Sequence, residues 1–265
     1  MKIDLSGRTV VITGGSSGIG FASAKLFLDA GANTAICSRQ KESLNSAVKE
    51  LKNLFPGKPL FASCCDVLDK EQVKLFARDV ENQFGGTDIL VNNAGQSRLS
   101  TFANTKDDDW REELELKFFS IINTSRAFLY QLEKSNAAAI VCTSSLLSRQ
   151  PEPHLVATSS ARAGQLALIH GMAQEFAATG IRVNTVLIGQ VESKQWYKRY
   201  EALKDEDLSW NAYTAGIAAK AGVPLGRMGK PEEAANAIFF LATPMSSFTT
   251  GSTIDVSGGL SRHVG

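Results

Sequence analysis

The octapeptide Thr13-Gly14-Gly15-Ser16-Ser17-Gly18-Ile19-Gly20 follows directly on the apolar run Thr9 to Thr13 and opens a segment of helical period. A strand, a glycine turn and a helix start in that order suit phosphate binding. Backbone without side chains can approach a pyrophosphate closely, and the first helical turn offers unpaired N–H groups and the positive end of its dipole. Gly14, Ser16, Ser17, Gly18, Ile19 and Gly20 are the candidate contacts. A tight strand-to-helix turn without a ligand is the alternative, because the spacing departs from the three-glycine dinucleotide fingerprint.

The rest of the chain supplies elements that could hold such a turn. Short runs at Thr9–Thr13, Asn33–Cys37, Leu60–Ser63, Asp88–Val91, Ala139–Thr143, Arg182–Leu187 and Thr253–Val256 are rich in apolar and β-branched residues and bounded by turn formers, which predicts buried strands. Between them, Gly18–Ala30, Lys41–Asn53, Lys70–Phe84, Asp108–Leu132, Ala157–Ala178 and Pro231–Ala242 carry apolar residues three and four apart, with Asp69 and Pro231 as starts. Parallel strands need a helical crossover, so the alternation predicts an α/β, doubly wound parallel sheet in a single domain spanning 1–265. Val191 to Met228 reads as the one irregular stretch.

Composition narrows the function classes. With 28 basic and 27 acidic residues the net charge is +1, and no like-charge block exists to track a nucleic acid or coat a membrane. No apolar run is long enough to span a bilayer, and Met1-Lys2-Ile3-Asp4 shows no signal segment, so a cytoplasmic protein is expected. Cys37, Cys64, Cys65 and Cys142 fit no zinc spacing and are read as reduced residues; no metal site is expected.

Further motifs come in order. Asp66-Val67 closes the third strand, Asn92-Asn93-Ala94-Gly95 the fourth and Ser144-Ser145 the fifth, while Ile181-Arg182-Val183-Asn184 opens the sixth. Pro224-Leu225-Gly226-Arg227 and Ile254-Asp255-Val256-Ser257-Gly258-Gly259 follow near the end. Over nearly its whole length the chain resembles the classical short-chain dehydrogenase/reductase family. The resemblance implies a Rossmann-type domain with a seven-stranded sheet, a nicotinamide dinucleotide, a substrate lid at about 190–228, and a homotetramer, or a dimer, built through the helices at 108–132 and 157–178. By the same resemblance Asp66 and Val67 hold the adenine, Asn93, Ala94 and Gly95 pass under the adenosine ribose, Ile19 packs near the nicotinamide, and Gly189 and Val191 line the site after the sixth strand.

The end of the second strand argues for the cofactor. A carboxylate there would accept both ribose hydroxyls of NAD and repel a 2′-phosphate. The position is Ser38, and Arg39 follows with a planar fork suited to a phosphate, which favours NADP(H) over NAD(H).

The family's catalytic Tyr lies thirteen residues after its Ser, with Lys four further on; from Ser145 these counts reach Thr158 and Arg162. The family's Asn lies seven residues after a helix Trp, and from Trp110 this count reaches Lys117. The Asn-Ser-Tyr-Lys centre is thus read as Lys117-Ser145-Thr158-Arg162. Thr158 lacks the acidity and reach of a phenol. Arg162 keeps the positive charge and the ribose contact but does not shuttle protons. Lys117, acidified by Arg162, is the new proton donor, or holds a water that serves as one, and Ser145 bonds the substrate oxygen. The missing Tyr leaves room for a water or chloride near Thr158 and Arg162.

The expected activity is NADPH-dependent carbonyl reduction on a small carbonyl or alcohol substrate. Arg98 and Arg149 add to an electropositive pocket that favours an acidic one, and His154 precedes the active-site helix. The lid aromatics Trp196, Tyr197, Tyr200, Trp210 and Tyr213 are read as packing, with a lid Tyr as a candidate substitute phenol. The alternative is a catalytically inactive NADP(H)-binding protein, a cofactor sensor or an assembly subunit.

Overall fold

The computed structural model describes residues 3–205 and 207–263; Met1 and Lys2 of the N-terminal reading lie outside them. Strands β1 (Thr9–Thr13), β2 (Asn33–Ser38), β3 (Leu60–Cys64), β4 (Ile89–Asn92), β5 (Ala139–Ser145), β6 (Arg182–Ile188) and β7 (Thr253–Val256) form one parallel sheet in the order β3-β2-β1-β4-β5-β6-β7. The order reverses between β1 and β4, and these strands pair in parallel through Val10 with Ile89 and Ile12 with Val91. That switch point opens a crevice at the carboxyl ends of the strands, where ligands of open α/β sheets bind.

Both faces of the sheet are covered, so the strands read as continuous apolar runs. Val10 and Ile12 point to the face packed by Phe27, Leu28, Leu51, Ile238 and Leu241. Those side chains come from helices α1 (Gly18–Asp29), α2 (Lys41–Leu54) and α8 (Pro231–Ala242). Val11 points the opposite way, among Phe76, Ile121, Phe128 and Ile169 from α3 (Lys70–Phe84), α4 (Asp107–Glu133) and α5 (Val156–Phe176). Local chemistry sets the helix ends. Asp69 caps α3 by accepting from the N–H groups of Glu71 at 3.0 Å and Gln72 at 3.1 Å, and Gly85 ends it at φ +84°.

The stretch from Val191 to Met228 departs from the sequence reading. It holds two helices, α6 (Lys194–Leu203) and α7 (Trp210–Ala221), rather than irregular chain. Ser193 and Ser209 cap their starts and Gly222 ends α7 at φ +71°. Trp196, Tyr200 and Leu203 share one face of α6, yet no residue of α6 is buried, and α7 buries only Thr214 and Ala218. Among the described residues no helix is long and apolar enough to cross a membrane.

Candidate active site

A cavity of about 640 Å³ lies along the carboxyl ends of the strands, from the glycine turn to the lid. At one end Gly14, Ser16, Ser17, Gly18 and Ile19 line it, with Ser38, Arg39, Asp66 and Val67 beside them. Ser17 is the N-cap of α1, yet its side chain makes no capping bond, which leaves the donors of the first helical turn for a ligand. Gly14 adopts φ +67° and Gly18 φ +55°. Gly20 does not line the cavity; it holds the turn closed, since a Cβ there would sit 2.4 Å from the Gly14 carbonyl oxygen and 2.6 Å from Asn93 Nδ2. Asn93 also ties the end of β4 to the turn, donating from Nδ2 to the carbonyls of Thr13 at 3.0 Å and Gly14 at 3.3 Å. Beside the turn Ser16 donates to Ser38 Oγ at 2.9 Å, and Arg39, half exposed, makes a long 3.9 Å approach to Asp66.

The other end of the cavity is built by two helix pairs. Lys117 on α4 stands one turn after Glu113, and Arg162 on α5 one turn after Thr158, so each pair shares a helix face. Gly164 lets the two helices close, because a Cβ there would meet the Phe118 ring at 2.6 Å. Gln165 locks the register: it accepts from Ser144 Oγ at 2.8 Å and donates to the Lys117 carbonyl at 3.1 Å. Lys117, Arg162, Ser145 and Gln165 line the cavity.

Lys117 is 1% exposed and donates from Nζ to Glu113 Oε2 at 3.0 Å. Burial and the neighbouring charges of Arg162 and Arg98 pull its pKa down to about 8, against the opposing pull of Glu113. Burial likewise lowers Arg162 to about 10, which leaves it charged at neutral pH; its Nε is enclosed and has no hydrogen-bond partner among the described residues. Thr158 is 0% exposed, and its hydroxyl donates to the same Glu113 Oε2 at 2.5 Å, outside the cavity lining. Ser145 caps the turn after β5 by accepting from the Leu147 N–H at 3.3 Å.

Residues 14–261 match the family described as enoyl-(acyl carrier protein) reductase. The 3-oxoacyl-(acyl-carrier-protein) reductase of Thermotoga maritima is 34% identical over 256 residues, which cover 97% of this chain and 98% of that protein. The chain belongs to the short-chain dehydrogenase/reductase family. This dehydrogenase/reductase superimposes at a TM-score of 0.95 on the NADPH-bound short chain oxidoreductase from Pseudomonas aeruginosa PAO1 that contains an atypical catalytic center. The identity is 58%, over 99% of this chain and 100% of that one. L-sorbose reductase from Gluconobacter frateurii, in complex with NADPH and L-sorbose, matches at 0.93 with 31% identity over the full length of both chains.

The nicotinamide dinucleotide of this dehydrogenase/reductase family fits the groups present. The glycine turn and the uncapped start of α1 suit a diphosphate, Ser38 and Arg39 suit a 2′-phosphate, and Asp66 and Val67 line the same end of the cavity. Asn93, Ala94, Gly95, Gly189 and Val191 complete the wall.

Several sequence expectations need correction in this enzyme. Arg98 does not reach the cavity; its guanidinium pairs with Asp109 and Glu112 on α4. Arg149 turns to a second hollow between α5 and β7 and donates to Thr253 Oγ1 at 2.9 Å. His154 is exposed outside the cavity. The lid tyrosines bind one another: Tyr200 lies 5.5 Å from both Trp210 and Tyr213 and donates its hydroxyl to the Leu208 carbonyl, so no lid phenol enters the cavity lining. Lys194 and Lys198 of α6 line it instead. The residue missed altogether is Glu113, 2% exposed between Lys117 and Thr158. Its signal in the sequence was the Glu-to-Lys spacing of four on one helix.

Proposed function

We propose that this enzyme is an NADP(H)-dependent oxidoreductase that reduces a small carbonyl substrate through a Lys117-Ser145-Thr158-Arg162 centre. The observation that carries the reading is the buried Lys117 ammonium in the cavity wall, beside Arg162 and at a pKa of about 8. A nicotinamide bound in the cavity supplies the hydride. Lys117, charged at neutral pH and more acidic than an ordinary lysine, protonates the developing alkoxide: an N–H bond breaks, an O–H bond forms, and a neutral amine remains to be recharged from solvent. Arg162 contributes fixed positive charge that opposes build-up of negative charge on oxygen, and Ser145 donates to the substrate oxygen. Thr158 serves by holding Glu113.

Lys194 and Lys198 join Lys117 and Arg162 around the cavity and support an acidic carbonyl as substrate. The partnerless Nε of Arg162 supports a small anion or water on the cavity side of that residue. Thr158 is a poor neighbour for an anion, because its hydroxyl is engaged by the Glu113 carboxylate. Bromide soaking with anomalous diffraction checks this. Exposed Leu114, Phe119 and Tyr130 on α4 support assembly through α4 and α5, as a tetramer or a dimer, which light scattering reads directly. Four free thiols agree with a reducing, cytoplasmic setting.

The second reading, an NADP(H)-binding protein without turnover, draws on the buried Thr158 hydroxyl, which leaves no hydroxyl where the family's phenol works. NADPH oxidation against a panel of aldehydes, ketones and keto acids, run beside a Thr158→Tyr/Arg162→Lys variant, separates the two. Turnover by the parent supports the Lys117 centre; NADPH binding with activity only in the variant supports the second reading.

A further inference from the structure

Glu113 has no place in the family pattern from which the centre was read, and the cavity lining excludes it. It is nonetheless a carboxylate at 2% exposure, and a buried carboxylate is retained only where charge and hydrogen bonds compensate it. One oxygen, Oε2, receives both the Lys117 ammonium at 3.0 Å and the Thr158 hydroxyl at 2.5 Å. Thr158 is itself fixed from outside, accepting from the Arg98 backbone N–H and approaching the Arg98 carbonyl, each at 3.3 Å.

From this geometry we infer that Glu113 is a positioning residue for the reaction: it anchors one N–H of Lys117, aims the others at the cavity, and keeps the ammonium charged while Thr158 steadies the carboxylate. The inference rests on the reading of Lys117 as proton donor. The charged groups facing Lys117 are Glu113 on its own helix, Arg162 from α5 and Arg98 from the segment after β4. Glu113 is the one anion among them. Two cations and burial favour the neutral amine, which has no proton to give; the carboxylate opposes both. After Lys117 has passed its proton to the alkoxide, Glu113 and Arg162 balance each other, so the discharged centre carries no net charge from these three groups.

The test is a titration of Lys117 by NMR in protein labelled at lysine Cε and Nζ, with the resonance assigned by Lys117→Arg. The parent midpoint is expected near 8. In Glu113→Gln the midpoint should fall by about one pH unit or more, since removing an opposite charge at contact distance disfavours the ammonium. Local unfolding moves it the other way, towards the free-lysine value of about 10.4. Should the Gln variant fail to fold, Glu113→Asp keeps the charge with a shorter reach, and its midpoint should stay closer to that of the parent than to free lysine. The high-pH fall of kcat should move with the midpoint in Glu113→Gln, while KM for NADPH changes less than about twofold, because Glu113 lies outside the cavity. A midpoint unchanged or raised in folded Glu113→Gln overturns the inference. A parent that titrates near 8 but turns over no carbonyl overturns the proton-donor reading instead, and the midpoints still decide whether Glu113 holds Lys117.

Discussion

Thr158 donates its hydroxyl to Glu113 Oε2 at 2.5 Å, so the hydroxyl that the sequence count sets at the family's tyrosine faces a carboxylate inside the protein rather than the cavity. The same carboxylate oxygen reaches Lys117, so in the proposed mechanism the proton donor sits on α4 rather than α5.

Thr158→Val tests that relationship. Loss of the hydroxyl takes a donor from a buried carboxylate and should destabilise the fold by about 1–3 kcal/mol. NADPH affinity should change less than about twofold, because Thr158 does not line the cavity. Urea unfolding and a fluorescence titration of NADPH read the two effects separately; a large loss of affinity without loss of stability would place Thr158 at the cofactor.

The pH dependence of reduction should carry the signature of Lys117. The donor must be protonated, so kcat should be flat below its pKa of about 8 and fall as the pH rises through it. Lys117→Met should lower kcat by about a hundredfold or more with little change in NADPH affinity. Retention of parental turnover would remove Lys117 from the mechanism.

Stability should show the opposite slope. The folded pKa of Lys117 lies below the unfolded one, so the folded state binds fewer protons between about pH 8 and 10.4, and stability attributable to this residue rises across that window. The integrated effect is about 3 kcal/mol, full at high pH and absent below about 8. The Tm difference between parent and Lys117→Met, measured at pH 7.5 and 10, should shift in favour of the parent at the higher pH.

Cofactor preference should turn on Arg39. Arg39→Ala removes a cation beside Ser38 and should weaken NADPH binding by about tenfold or more, given about 1.5–3 kcal/mol for a charge-assisted bond. NADH, which lacks the 2′-phosphate, should be nearly unaffected. Equal losses for both dinucleotides, measured by calorimetry, would argue that Arg39 supports the β2 end rather than the phosphate.

The glycine turn gives a steric test. Gly20→Ala places a methyl 2.4 Å from the Gly14 carbonyl oxygen, so the start of α1 must shift. Overpacking of this kind costs about 1–3 kcal/mol, and NADPH affinity should drop with it. An unchanged Kd would show that the turn tolerates movement away from the diphosphate.

Much of the fold was legible because each strand of a doubly covered parallel sheet must be apolar on both faces. β1, β7, α3 and α8 end where the sequence set them, and most other ends differ by one or two residues. The α6 and α7 helices were not legible, since their stability comes from serine caps and the cluster of Tyr197, Tyr200, Trp210 and Tyr213, contacts between residues up to thirteen apart that periodicity does not register. Glu113 was hidden for another reason. It sits in an acidic run from Asp107 to Glu115 that reads as a solvated helix face. The half-buried Arg98, read as adding to the pocket's positive charge, pairs with that same run.

By itself the sequence determined the sheet and the glycine turn, and it singled out Ser38, Arg39, Lys117, Ser145, Thr158 and Arg162 as candidates, because these depend on short-range pattern and on spacing along one chain. Only the tertiary structure decided which of those residues face the cavity. Packing α4 against α5 at Gly164 sets Glu113 between Lys117 and Thr158, and burial there makes a surface-type acid into the counter-charge of Lys117.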